Sequence, residues 1–277
     1  MSIEIDGLFV RYGAATAVDD LSLRVPEGAI FGLLGPNGAG KSSSIRCVAT
    51  VQVPSAGHVR VGGIDVVARP EEARRLLGVV PQHIALYETL SVVENLRVFG
   101  GCLGLSGARL RDRVGWGLAL AQLEAHADKL VTTLSGGMKR RLNIAASLLH
   151  DPRILVFDEP TTGVDPQSRN HIFDTVRTLH AEGRTVVYTT HYMEEVEALC
   201  RDVAIVDKGR LVACDRLDRL VASAAPREFA LRLEGSSAAA ISYALHAAGL
   251  PAEVIARGRS LEDVFLELTG RGLRDVS

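Results

Sequence analysis

Little in this chain speaks for a disulfide scaffold, a membrane span or an electrostatic grip. Four cysteines, Cys47, Cys102, Cys200 and Cys214, are scattered through 277 residues with neither metal-ligand spacing nor a paired framework. They read as reduced, small apolar residues of a cytosolic protein. No window holds the roughly 20 mainly apolar residues of a transmembrane helix. The most apolar stretch, 142–157, is broken by Asn143, His150, Asp151, Pro152 and Arg153. The opening residues, Met1-Ser-Ile-Glu-Ile-Asp, lack the basic cap and apolar run of a secretory signal. Charge is nearly balanced, 31 basic against 33 acidic residues. Sequence-independent binding to nucleic acid needs a basic surface, so no nucleic-acid partner is expected. Neither an internal repeat nor a sustained heptad pattern is present. These absences leave a soluble chain with 47% hydrophobic residues, enough for one large domain and a small appendage. Work at a membrane would need spans supplied by another subunit.

What is present is organised around Gly35-Pro36-Asn37-Gly38-Ala39-Gly40-Lys41-Ser42, which fits a glycine, four residues, then Gly-Lys-Ser. The apolar run 30–34 before it predicts a buried strand, and Ile45, Val48 and Ala49 after it predict a helix starting near Lys41. Strand, glycine-rich loop and helix form the context a phosphate cradle requires. The glycines let backbone N–H groups approach an anion closely, and the helix adds the positive end of its dipole. Lys41 is placed to reach the β- and γ-phosphates of a nucleotide, and the Ser42 hydroxyl to ligate Mg²⁺.

The rest of the chain alternates strands and helices, apart from one interruption. Strands are predicted over 3–12 and 21–25, and a short hairpin over 57–61 and 64–67 across Gly62-Gly63. A charged helix over 70–76 feeds a strand at 78–80 that ends in Pro81-Gln82; alone, Gln82 reads as a loop residue. Residues 88–150 then read as helical (95–103, 109–123 and 142–149), entered through a Ser91/Glu94 capping box. Leu134-Ser135-Gly136-Gly137-Met138 closes this insertion, and by itself reads as a helix cap. Lys139, Arg140 and Arg141 read as a solvated helix face. The buried strand 154–157 ends in Asp158-Glu159, two carboxylates at the strand end where open α/β sheets bind ligands. Asp158 suits Mg²⁺ and Glu159 suits polarising an attacking water, if they are not simply solvated loop acids. Asp165-Pro166 reads as N-cap and first helical residue, with Ile172, Phe173, Val176 and Leu179 facing inward. His191 follows a further buried strand, 185–189, and a hairpin spans 203–206 and 211–213. Residues 222–226 read as a linker to a small α+β tail, 227–277, with strands at 228–233 and near 253–255 and helices at 236–248 and from Ser260.

With these motifs in order, residues 1–220 resemble the ATP-binding subunit of an ATP-binding-cassette (ABC) transporter. The resemblance implies an α/β fold: a P-loop NTPase core of ABC type, with a parallel sheet flanked by helices and an antiparallel β subdomain. The core spans 1–222 with its helical subdomain at 88–150, and a C-terminal accessory segment covers 227–277. It further implies a head-to-tail dimer that sandwiches ATP and Mg²⁺ between two copies. Carried over, Tyr12 stacks on adenine, and residues Gly35 to Ser43 cradle the phosphates. Gln82 contacts Mg²⁺ and water and senses the membrane subunit. Ser135, Gly136 and Gly137 serve the γ-phosphate held by the opposite copy. Asp158 serves Mg²⁺, Glu159 is the catalytic carboxylate, Asp165 bridges the copies, and His191 clamps the γ-phosphate. Met138 and Val164 depart from the commonest pattern toward the branch that exports drugs, lipids or polysaccharides, such as the daunorubicin-resistance type. The tail motif Ser260-Leu-Glu-Asp-Val-Phe-Leu-Glu-Leu-Thr-Gly is similar to that branch as well. The implied function is to energise an exporter from the cytoplasmic face of the membrane through a separately encoded permease. The permease is expected to touch residues 82–96, with Val92 and Val93 either helping to dock it or forming ordinary core of the insertion. A soluble ABC ATPase of translation or DNA repair is the alternative; such proteins usually carry two cassettes, and this chain has one.

Overall fold

The computed structural model describes residues 1–223 together with three helical positions in the tail, Tyr243, His246 and Ala247. Those positions apart, the tail strands and helices expected beyond residue 226 lie outside the described residues. Two sheets form the frame. The first is antiparallel, in the order β2 (Ala15–Val25), β1 (Ile3–Tyr12), β4 (Ala56–Val61) and β5 (Ile64–Asp65). Burial alternates along much of β1 and β2, as it does in strands covered on one face. The second sheet has six strands in the order β10-β9-β3-β8-β7-β6. These are β3 (Ile30–Leu34), β6 (Leu77–Val80), β7 (Ile154–Asp158), β8 (Thr185–Thr190), β9 (Asp202–Asp207) and β10 (Arg210–Arg216). All its pairings are parallel except that of β10 with β9. β3, β7 and β8 are buried at every position, which is why they read as mainly apolar runs.

Each face of the parallel sheet packs a different layer. On one face Phe31, Leu33, Val156 and Val187 meet the antiparallel sheet, with Ile45, Cys47 and Val48 of α1 (Lys41–Val48) filling the space between. On the other, Leu34, Leu155, Phe157, Val186 and Tyr188 meet α6 (Pro166–Ala181) and α7 (Met193–Leu199) through Ile172, Val176, Leu179 and Val196. A helical layer of α3 (Val92–Cys102), α4 (Gly107–Ala121) and α5 (Gly136–Ser147) has its own core around Val92, Leu96, Val114 and Leu142. α5 is shared, since Leu142 and Ala145 face the helical layer while Ile144 faces the sheet. A short α2 (Pro70–Leu76) precedes β6, and α8 (Leu217–Ser223) follows β10.

Several boundaries differ from the sequence reading. β2 begins at Ala15 because its irregular pairing with β1 carries Asp19 and Asp20, the latter at φ 58°, inside a strand. α5 begins at Gly136, capped by Ser135, where the sequence reading placed a cap. α7 was not expected, being short and without a capping side chain. α8 runs to Ser223, into residues read as linker. Val92 is fully buried, which favours the reading of it as core over docking, while Val93 is only partly buried against the same core. Phe173 is only partly buried, set edge-on to Tyr188 at 6.4 Å between ring centroids.

Candidate functional site

The phosphate loop leaves β3 where two glycines are sterically required. A Cβ on Gly35 would lie 2.2 Å from the Val206 carbonyl oxygen, and one on Gly40 would lie 2.5 Å from that of Ala17. Gly40 sits at φ 97° as the N-cap of α1, and no side chain caps that helix. The first-turn N–H groups of α1 are therefore open to an anion. The loop curls round a cleft of about 360 Å³, lined by residues 37–43 with Ala17, Gln82 and Glu159. Lys41, 4% exposed, folds back along the loop. Its Nζ donates to the carbonyls of Gly35 (2.7 Å) and Pro36 (3.0 Å) and pairs with Glu159 Oε1 at 3.0 Å.

Neighbouring strand ends deliver the acidic groups. Asp158 Oδ1 accepts from Ser42 Oγ at 3.2 Å and from Thr189 Oγ1 at 2.6 Å. Glu159 adopts φ 42°, a left-handed conformation that costs a non-glycine residue about 1–2 kcal/mol and persists only where surroundings impose it. Here its N–H donates to both the carbonyl (3.2 Å) and Oγ1 (2.9 Å) of Thr189. Its Oε2 accepts from Gln82 Nε2 (3.2 Å) and Thr162 Oγ1 (3.3 Å). His191 Nδ1 lies 3.3 Å from the same oxygen but is not aligned to donate, and it has no other partner. Lys41, Ser42, Gln82, Asp158, Glu159 and His191 thus converge.

Behind them Glu195 of α7, only 1% exposed, accepts from Thr161 Oγ1 (2.6 Å), Thr190 Oγ1 (2.7 Å) and the Tyr188 hydroxyl (3.1 Å). Burial first, and the Glu195 carboxylate second, push the Tyr188 phenol well above its usual range. This network ties the segment after Glu159 to the residue before His191. The imidazole is also set against the Tyr192 ring, 4.0 Å between centroids.

The remaining site residues form a second group. Tyr12, at the end of β1, is 46% exposed, and its hydroxyl donates to Gln52 Oε1 (2.6 Å) and lies 3.4 Å from Ser43 Oγ, beside the loop. Ser135 caps α5, accepting the Met138 N–H at 3.3 Å. Asp165 caps α6; the Ser168 hydroxyl (2.7 Å) and N–H (3.0 Å) hold its carboxyl below the usual range. A Cβ on Gly137 would lie 2.0 Å from Ser168 Oγ, so the heads of α5 and α6 abut. Residues 135–137 and 165 do not line the cleft.

Sequence reasoning missed four residues here: Thr162, Thr189, Glu195 and Arg140. Thr189 and Glu195 are ordinary residues whose partners come from other elements, and Thr162 is an ordinary residue three positions from Glu159. Arg140, read as solvated, is 2% exposed. Its donors reach the carbonyls of Pro160, Pro81, Gln82 and Glu159.

The arrangement suits a metal–nucleotide ligand. Ser42, Gln82 and Asp158 offer hard oxygen donors of the kind Mg²⁺ takes alongside substrate phosphates and waters. No cluster of three or more His, Cys, Asp or Glu able to hold a metal exists among the described residues. The unpartnered His191 nitrogen and the uncapped α1 are further groups awaiting an anion.

Comparison with known proteins agrees with this geometry. The family model described as ABC transporter matches residues 18–162. The "Nod factor export ATP-binding protein I" of Ralstonia nicotianae (strain ATCC BAA-1114 / GMI1000) is 41% identical over 307 residues, covering 99% of this chain and 95% of that protein. The "Daunorubicin/doxorubicin resistance ATP-binding protein DrrA" of Streptomyces peucetius is 42% identical, covering 90% of this chain and 76% of that one. Among solved structures, a dimeric, post-hydrolysis state of the ATP-binding cassette MJ0796 bound to ADP and Pi superimposes with a TM-score of 0.69. It is 25% identical and covers 78% of this chain and 98% of that one.

Proposed function

The chain belongs to the ABC transporter family, and we propose that its cleft between Gly35 and Glu159 hydrolyses ATP to drive export through a separate membrane subunit. It is an ATP-binding and ATP-hydrolysing subunit of the exporter branch. The backbone N–H groups of the loop and of the first turn of α1 hold the phosphates, and Lys41 neutralises their charge as it exchanges Glu159 for phosphate oxygens. Glu159 orients the attacking water; Gln82, donating to its Oε2, fixes the direction of that carboxylate, while the unpartnered His191 Nδ1 nearby clamps the γ-phosphate. Mg²⁺, held by Ser42, Asp158 and Gln82 together with the phosphates, would supply charge neutralisation on the transferring group. Tyr12 supports the base. Ser135, Gly136, Gly137 and Asp165 face the nucleotide of a second copy in a head-to-tail dimer, a reading supported by their absence from the cleft lining.

No helix among the described residues is long and apolar enough to cross a membrane. With the exporter relatives, this supports work at the cytoplasmic face through a permease. The permease docks in an apolar groove of about 350 Å³ between α3, α5 and the edge strand β6, where Leu77, Val79, Phe99 and Leu103 line the walls. Drug, lipid or polysaccharide efflux is the class of transport, and residues 227–277 form an accessory segment to the cassette at 1–222. A soluble role in translation or DNA repair is not favoured by the exporter relatives.

The convergence of Lys41, Gln82 and His191 on the buried Glu159 carboxylate carries this reading. Glu159→Gln should keep ATP binding but lower turnover by about 10²–10⁴, and should accumulate an ATP-dependent dimer on size exclusion. Near-normal turnover would remove Glu159 from the mechanism.

A further inference from the structure

Arg140 is a buried cation without a carboxylate: among the described residues it makes no ion pair. Its guanidinium is instead spent on four main-chain carbonyls from two loops. Nη1 donates to Pro81 (2.7 Å) and Gln82 (3.0 Å), Nε to Pro160 (2.5 Å), and Nη2 to Glu159 (3.2 Å). Those loops leave β6 and β7, which are adjacent and parallel, so one planar fork spans the gap between them. Burial brings the guanidinium down to about 10, which still leaves it charged at neutral pH.

Two further observations give the fork a consequence. Glu159 sits in the left-handed region, with its N–H held by Thr189 of β8 and its carbonyl by Arg140. Both sides of that residue are clamped, and the clamp decides where its carboxylate points. Arg140 also lies about one turn inside α5, whose capped head is Ser135–Gly137. That head abuts Ser168 and Asp165.

We propose that Arg140 is a positioning residue that fixes the Gln82 loop against the Glu159 loop and makes their separation depend on where α5 sits. The fork carries the placement of the α5 head to the catalytic carboxylate through a single side chain. A lysine keeps the charge but has no planar fork to divide between two loops. This inference rests on the assignment of Glu159 as the catalytic carboxylate.

The test compares Arg140→Lys, Arg140→Gln and Glu159→Gln with wild type, reading kcat, KM, and the Kd for a fluorescent ATP analogue. Both Arg140 variants should bind nucleotide within a few-fold of wild type and lose kcat by about 10²-fold, the cost of a small misplacement near the chemistry; Lys should lose less than Gln. Combined with Glu159→Gln, Arg140→Lys should add no further rate loss, because it acts through Glu159. Wild-type kcat in both Arg140 variants overturns the proposal, as does a multiplicative loss in the double variant. Kd rising in step with falling kcat, or failure of both Arg140 variants to fold, also overturns it and assigns the residue to general stability. If instead Glu159→Gln turns over normally, the underlying assignment fails, and the proposal with it.

Discussion

The two halves of the site are built differently. On the sheet side, Lys41, Gln82, Asp158, Glu159 and His191 are buried or half-buried against one another, and all but His191 bond within the cluster. On the helix side, Ser135 and Asp165 spend theirs on their own helix caps, and Gly137 offers backbone beside Ser168. The first half is assembled within one chain, and its geometry does not wait for a partner. The second presents two rigid helix heads and makes no contact with the cleft it is proposed to complete in the other copy. A preassembled half and a presented half suit a site that acts only when two copies meet.

The sharpest way to break that comparison is to damage each half separately. Lys41→Ala should abolish ATP binding to the isolated chain, since Lys41 is the cation at the cleft. Ser135→Arg should leave that affinity unchanged yet reduce turnover by 10²-fold or more, in line with loss of one preorganised donor at a reacting centre. Mixing the two variants should leave at most one intact composite site per heterodimer and restore part of the turnover. If Ser135→Arg weakens nucleotide titration as severely as Lys41→Ala, the two halves serve one chain's nucleotide and the contrast collapses.

A smaller effect probes how firmly the preassembled half is held. Glu195 accepts from three hydroxyls away from solvent, so Glu195→Ala leaves donors facing no acceptor. Each unmade buried bond costs about 1–3 kcal/mol. The variant should unfold at distinctly lower denaturant, with Glu195→Gln intermediate because its amide oxygen still accepts. Unchanged midpoints in both would mean that the ends of β7 and β8 are held in register by the sheet alone.

The same division explains what was legible before the fold was known. The phosphate loop, Asp158-Glu159, Asp165-Pro166 and the Ser91 capping box are local patterns, and each occupies the element its spacing implies. The strands β3, β7 and β8 were legible too, because strands covered on both faces leave mainly apolar runs. What stayed hidden depends on residues far apart in sequence. Thr189 supports Asp158 from 31 positions away, and Thr161 reaches Glu195 across 34. Arg140 looked like one of three solvated cations because only the approach of two loops supplies its carbonyls. For Val92 the sequence left core and docking both open, because a turn beside a cap can look exposed until α4 and α5 pack over it.

The smallest predicted effect lies in the presented half. Gly137 has helical backbone, so alanine there relieves the entropic cost of glycine in a helix, about 1 kcal/mol. Against this, its Cβ would lie 2.0 Å from Ser168 Oγ, 2.9 Å from Ser168 Cβ and 3.1 Å from Asp165 Oδ2. The hydroxyl can rotate away, but only by giving up its 2.7 Å bond to Asp165. Ser168 Cβ cannot rotate away, so the crowding outweighs that gain, and Gly137→Ala should destabilise the isolated chain by about 1 kcal/mol. It should also change the spacing of the α5 and α6 heads, and with it ATP-dependent dimerisation in a Glu159→Gln background. Adding Ser168→Ala removes the nearest contact and should recover part of the dimer. Gly137→Ala that dimerises as well as its parent would mean that the abutting helix heads tolerate displacement. The presented half would then be less rigid than the preassembled one, and not merely more exposed.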